Sequence, residues 1–179
     1  MRIVILGWGS LIWDPRDLPR EGTWQLNGPL LPIEFSRVSN DGRLTLAIDE
    51  KHGETVSSRY VLSPRTDVED ATNDLRLREG TTARNIGFVL SADDSFRCRA
   101  ESVKDLIRNW GRQSGFDAVV WTDLAPNFEE ETGKAFSIDA AESYLRQMPK
   151  SAADRAKKYI ANAPPEVNTP LRRRLIEAH

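Results

Sequence analysis

Residues 2–6, Arg-Ile-Val-Ile-Leu, form a short β-branched and apolar run that Gly7 stops, the pattern of a buried strand running into a tight loop. Whatever the rest of the chain does, it has to cover that strand. The loop that follows, Gly7-Trp8-Gly9-Ser10-Leu11, puts glycines where main-chain N–H groups can converge on a negatively charged group without side-chain obstruction. Two other readings compete for it. A dinucleotide loop needs a third glycine where Ile12 stands and a helix where Asp14-Pro15 intervenes. A plain tight turn needs only that Trp8 and Trp13 pack as ordinary core aromatics.

Beyond a Pro-punctuated connection from Asp14 to Pro32, the segments Ile33–Val38, Leu44–Ile48 and Thr55–Leu62 read as successive antiparallel strands, divided by Asn40-Asp41-Gly42 and His52-Gly53. Asp67–Arg78 then carries Val68, Ala71, Leu75 and Arg78 at helical spacing and ends at Gly80, where a C-terminal cap belongs. Asn85–Leu90 and Asp117–Trp121 read as further strands, and Ala100–Gln113 as an amphipathic helix. From Ser137 on the chain reads as helical, with segments opening at Ser137, Ser151 and Thr169, the last reaching Ala178. Strands and helices mix without a βαβ rhythm, which defines an α+β class with a helical C-terminal third.

The length of 179 residues fits one domain over 1–179, with 137–179 as a helical extension packed on it. With 39% apolar residues the chain can build a core, and 25 basic against 27 acidic residues leave no global charge to recruit nucleic acid or an anionic membrane. A small-molecule partner is expected, with oligomeric state left open. A single cysteine, Cys98, and two histidines, His52 and His179, argue against an internal disulfide and against a zinc or thiolate centre, so no metal is expected. The apolar stretch Ile3–Trp13 lacks the basic flank and cleavage site of a signal peptide, and no stretch approaches the roughly 20 apolar residues of a spanning helix. A cytoplasmic location is the corresponding expectation.

Several local patterns have a chemical and a plain reading. Ser10 lacks the G-x-S-x-G elbow and a histidine context for a nucleophile. Cys98, between Arg97 and Arg99, reads as a small incidental residue, and Asp93-Asp94 and Glu129-Glu130-Glu131 as solvated loops. Arg172-Arg173-Arg174 reads as a solvated helical face, with an anion or partner contact as the sharper alternative. Arg37 and Arg43 could each meet a substrate carboxylate or make a surface ion pair.

Trp8-Gly9-Ser10-Leu11-Ile12-Trp13-Asp14-Pro15 resembles the YGSLMWNP-like stretch of the gamma-glutamylcyclotransferase-like superfamily, in its ChaC-like branch. The likeness continues through Gly28-Pro29-Leu30, Phe35-Ser36-Arg37-Val38-Ser39, Gly42-Arg43-Leu44-Thr45-Leu46 and Leu77-Arg78-Glu79-Gly80, and loosely through Asp117–Leu124; the C-terminal third carries no such motif. The resemblance implies a small mixed closed sheet or barrel with peripheral helices. It also implies an amide-cleaving activity in which a γ-glutamyl substrate is cyclised by its own α-amine and 5-oxoproline is released, with no cofactor.

On that resemblance Glu79 is the catalytic acid/base. The α-ammonium must lose a proton and the departing amine must gain one, which one carboxylate can do in turn, provided burial lifts it from the ordinary glutamate range of about 4.3. Arg78, its neighbour on the helix, is expected to point to a different face. Trp8, Gly9, Ser10, Leu11 and Arg37 are the expected substrate-binding residues, the amides of residues 9–11 holding the α-carboxylate or the polarised carbonyl. Two departures stand out. Trp8 replaces the family's usual tyrosine and can only donate, and Thr81–Asn85 lacks a downstream tyrosine. A non-catalytic binding module on the same scaffold is the competing hypothesis.

Overall fold

A computed structural model describes residues 1–177. In chain order the first elements are β1 (Ile3–Gly7), α1 (Ser10–Trp13), β2 (Glu21–Gln25), β3 (Leu30–Val38), β4 (Leu44–Ile48), β5 (Glu54–Ser57), β6 (Arg59–Leu62) and α2 (Val68–Glu79). A 3-10 turn at Ala83–Asn85 leads to β7 (Ile86–Leu90), β8 (Phe96–Arg97), α3 (Glu101–Gln113) and β9 (Ala118–Thr122). Four helices follow: α4 (Phe128–Thr132), α5 (Ile138–Gln147), α6 (Lys150–Asn162) and α7 (Pro170–Glu177). Ala178, expected at the end of the last helix, and His179 lie outside the described residues. The chain divides into two compact units, residues 1–31 with 57–124, and residues 32–56 with 125 onward.

The first unit holds a six-stranded sheet in the order β2-β6-β1-β9-β7-β8. β1 and β9 run parallel, Ile3 opposite Ala118 and Ile5 opposite Val120, and the other neighbours run antiparallel. All five residues of β1 are buried, as its unbroken apolar run requires when both faces of a sheet are covered. Ile3 and Ile5 join Ala118 and Val120 against Ala71 and Leu75 of α2. Val119 turns the other way, against Gly111 of α3, where a Cβ would come within 2.8 Å of its Cγ2. At the start of α2 the Asp67 side chain accepts from the Glu69 and Asp70 N–H groups, and at its end Gly80 takes the left-handed φ of 62° expected of a cap.

Gly87 pairs with Trp121 across β7 and β9. A Cβ at Gly87 would fall 2.3 Å from Cε2 of that fully buried indole. Gly87→Ala is therefore expected to cost about 1–3 kcal/mol through overpacking, read as a lower urea midpoint at an unchanged slope. An unchanged midpoint would mean that the indole has room to move.

The second unit is built on a three-stranded sheet, β4-β3-β5, with α4 to α7. Phe35 of β3 meets Tyr159 of α6 edge-on at 6.2 Å, and Tyr144 of α5 donates to the Gly42 carbonyl at 2.8 Å. Asn127 completes the edge of β3 as a strand would: its Oδ1 accepts from Val38 N–H at 2.7 Å and its Nδ2 donates to the Val38 carbonyl at 3.1 Å. Glu34, fully buried, accepts from its neighbour's N–H at Phe35 and from Leu171 N–H at the start of α7.

Burial pushes the Glu34 carboxyl above its ordinary value of 4.5, against the pull of the Thr169 hydroxyl and of the Phe35 and Leu171 N–H groups, and the Asp49 charge adds to the push. A carboxyl raised in the folded state leaves the unfolded chain to ionise first, so stability falls as pH climbs from about 4.5 through the folded-state value. Glu34→Gln should remove that loss. The stability of the wild type relative to this variant is expected to decline with rising pH in urea titrations across that range, and a flat difference would contradict the assignment.

Four sequence expectations are corrected here. Among the described residues no closed sheet or barrel forms; there are two separate sheets. The reason lies in the run Thr55–Leu62, expected as one strand, which breaks at Ser58 into β5 and β6 of different sheets. Ser58 spends its backbone on the opposing segment, accepting from Gly28 N–H at 2.9 Å and donating to the Pro29 carbonyl at 3.2 Å. Its Oγ also donates to that carbonyl, at 2.7 Å. The connection Asp14–Pro32 likewise contains an edge strand, β2, and the acidic run 129–131 lies in α4 rather than in a loop. No helix among the described residues is long and apolar enough to cross a membrane.

Candidate functional site

β1 and β9 are parallel neighbours, so their C-terminal ends share one edge of the sheet, the place where α/β proteins gather ligand-binding groups. Gly7 ends β1 under the Trp24 ring, where a Cβ would stand 2.8 Å from Cζ3. Trp8 is buried, and Gly9 caps the single turn of α1. The turn closes through Ile12 N–H to the Gly9 carbonyl at 3.0 Å and Asp14 N–H to the Ser10 carbonyl at 2.7 Å. Ser10 and Leu11 are thus the opening residues of a helical turn, whose N–H groups have no acceptor within the helix. The Leu11 side chain goes into the core with Ile3 and Ile5, so only its main chain can serve a ligand.

Glu79 closes α2, its side chain 16% exposed. Thr122, the last residue of β9, donates its hydroxyl to Glu79 Oε1 at 3.0 Å. Arg78 Nη1 donates to the same oxygen at 3.1 Å. The Arg78 side chain, 5% exposed, extends its Nη2 to Ser10 Oγ at 3.4 Å and to the Asp14 carbonyl. One guanidinium therefore ties the acid at the end of α2 to both sides of the turn after β1. Both anchors of Glu79 fall on Oε1, and among the described residues Oε2 takes no hydrogen bond.

The expectation that Arg78 faces away from Glu79 is corrected by this geometry. Adjacent helical residues do start on different faces, but the arginine stem is long enough to bring its guanidinium back to the carboxylate. Arg78 and Thr122 are the participants that sequence reasoning missed. The signal for Arg78 was present: it occupies the apolar stripe of α2, and a buried guanidinium must find acceptors. Thr122 follows directly on the strand read from Asp117–Trp121, and only the parallel pairing with β1 reveals its role.

The other candidates are placed as follows. Arg37 lies in β3 of the second unit and donates to the Ala125 carbonyl at 2.6 Å. Arg43 pairs with Asp41 at 2.7 Å and lies over the Tyr159 ring. Cys98 approaches the Ala100 carbonyl with its Sγ at 3.0 Å. Arg172 is buried rather than part of a solvated face, while Arg174 reaches Asp139 at the surface. No family model and no curated protein matches the chain.

Proposed function

We propose that the chain is an amide-cleaving enzyme of the gamma-glutamylcyclotransferase type, releasing 5-oxoproline from a γ-glutamyl amide with Glu79 as general base and then general acid. The observation that carries this reading is the Arg78 bridge, which fixes a carboxylate beside the glycine-bearing turn at the end of the central strand.

The chemistry follows from what each group can do. The substrate's α-carboxylate rests on the amides of Gly9, Ser10 and Leu11, with Trp8 as a wall, and this fixes the α-nitrogen with respect to the γ-carbonyl. Glu79 Oε2 removes a proton from the α-ammonium, and the freed lone pair attacks the γ-carbon to close a five-membered ring. The ring nitrogen gives its second proton to water, and Glu79 delivers the first to the amide nitrogen as the C–N bond breaks, which restores the carboxylate. Arg78 and Thr122 hold Oε1 throughout, so the exchanging oxygen keeps its direction.

A second reading, a ligand-binding module without turnover, is favoured by the same arginine, which already occupies one oxygen of the Glu79 carboxylate. A panel of γ-glutamyl amides, each offered with a free and with an acetylated α-amine, separates the two. Enzyme-dependent 5-oxoproline from the free-amine members alone is expected. Release from no member of the panel removes the catalytic reading.

A further inference from the structure

The geometry points to a second site, in the β3–β5 unit: a cavity of about 510 Å³ that binds a small organic ammonium ion between the Asp49–His52 pair and the phenyl rings of Phe128 and Phe136. That volume is within the range of small-ligand pockets, and the site is independent of the reading of Glu79.

Its polar floor is anionic. Asp49 is 4% exposed; its Oδ1 accepts from the Lys51 and His52 N–H groups, both at 3.0 Å, and its Oδ2 lies 3.3 Å from His52 Nδ1. Burial pushes the Asp49 carboxyl up, but the His52 N–H, the Ser36 hydroxyl, the Lys51 N–H and the His52 charge together hold it below the ordinary carboxylate range. The negative charge is thus retained within the unit.

Ser36 also lines the cavity, fully buried. Its hydroxyl is near enough to pull on Asp49, yet it completes no hydrogen bond of normal geometry among the described residues. A buried hydroxyl in that position calls for a partner.

The walls decide the kind of ligand. Phe136 packs at a tilt against His52 at 5.1 Å, and Phe128, 2% exposed, meets Phe136 edge-on at 5.4 Å, which gives the cavity an apolar wall. With Asp49, Glu129 and Glu130 make three acidic groups in the lining, against Lys51 and the His52 whose charge faces Asp49. Asn127 contributes no free amide, since both ends are engaged by Val38. Acceptors and negative charge prevail, which disfavours an anion and suits an N–H-rich cation with an alkyl body. Among the described residues no group of three or more His, Cys, Asp or Glu is placed to hold a metal ion, which leaves an organic cation as the match.

The test is a titration of the isotope-labelled full chain with n-butylammonium, n-butanol and butyrate at fixed ionic strength, followed by NMR. Butylammonium is expected to give saturable shifts at Ser36, His52 and Phe136, with no saturable response to butanol or butyrate. Asp49→Asn should weaken binding about ten- to hundredfold, the loss of a hydrogen bond to a charged group. Because that substitution also touches the turn at residues 49–53, the double variant Glu129→Gln/Glu130→Gln on α4 is the companion, expected to weaken binding about two- to fivefold. The proposal is overturned by the absence of saturable shifts, by an equal response to butanol or butyrate, by shifts confined to the six-stranded unit, or by wild-type affinity in the double variant.

Discussion

Glu79→Gln is expected to lower 5-oxoproline release by about 10²- to 10⁴-fold, the range that a positioned general acid/base supplies. The substitution keeps the length of the side chain and an oxygen able to accept from Thr122 and Arg78, so the network of Ser10, Asp14, Arg78 and Thr122 should survive. What disappears is the group that exchanges protons. The loss should therefore fall on kcat, with KM changed little, since the amides of residues 9–11 that hold the substrate are untouched. A variant that turns over at the wild-type rate would show that the proton moves through some other group.

Arg172→Met is expected to be the most damaging change away from that site. Arg172 is 8% exposed and its guanidinium covers the end of α6: Nη1 donates to the Pro164 carbonyl and, at 2.9 Å, to Val167, while Nη2 donates to Ala163 at 2.6 Å and Ala161 at 3.4 Å. These carbonyls lie at and beyond the last turn of a helix, and of them Pro164 also accepts the Val167 N–H at 2.9 Å. A cation is also favoured there by the helix dipole. Burial pulls the guanidinium pKa down, the cost of holding a charge out of water, and the four acceptors offset it.

Methionine keeps much of the apolar volume and none of the donors. Leaving buried acceptors unpaired costs about 1–3 kcal/mol each before any water reaches them, so a loss of about 3 kcal/mol, or about 6–12 °C in Tm, is expected. Arg174→Met supplies the contrast: its side chain is half exposed and pairs with Asp139 and Glu142 at the surface, a contact worth at most about 1 kcal/mol. Equal effects of the two substitutions would contradict this division of labour.

The arginine run illustrates how far sequence alone reaches. Three adjacent basic residues look alike in one dimension, and the burial of Arg172 is decided by where the 161–169 segment folds back, which no local pattern encodes. The strand Ile3–Gly7, the stripe of α2 and its stop at Gly80 were legible, because each rests on short-range rules of burial, helical spacing and positive φ. β2 was not: Glu21-Gly-Thr-Trp-Gln lies on a sheet edge and is mostly exposed, so it shows no apolar alternation. The break at Ser58 was invisible for a different reason, since it depends on hydrogen bonds to Gly28 and Pro29, about thirty positions upstream. At the candidate site the acid, the glycine turn and the place of Arg78 on the stripe of α2 could be read in the chain; the acceptors that Arg78 finds, and the part played by Thr122, emerge only from the folded structure.

The most direct test is a crystal structure of the Glu79→Gln variant with an intact γ-glutamyl amide bound. The α-nitrogen is expected within about 2.6–3.2 Å of the side chain at position 79, with the α-carboxylate on the amides of Ser10 and Leu11. A substrate bound elsewhere on the chain, or one bound here with its α-nitrogen turned away from position 79, would contradict it.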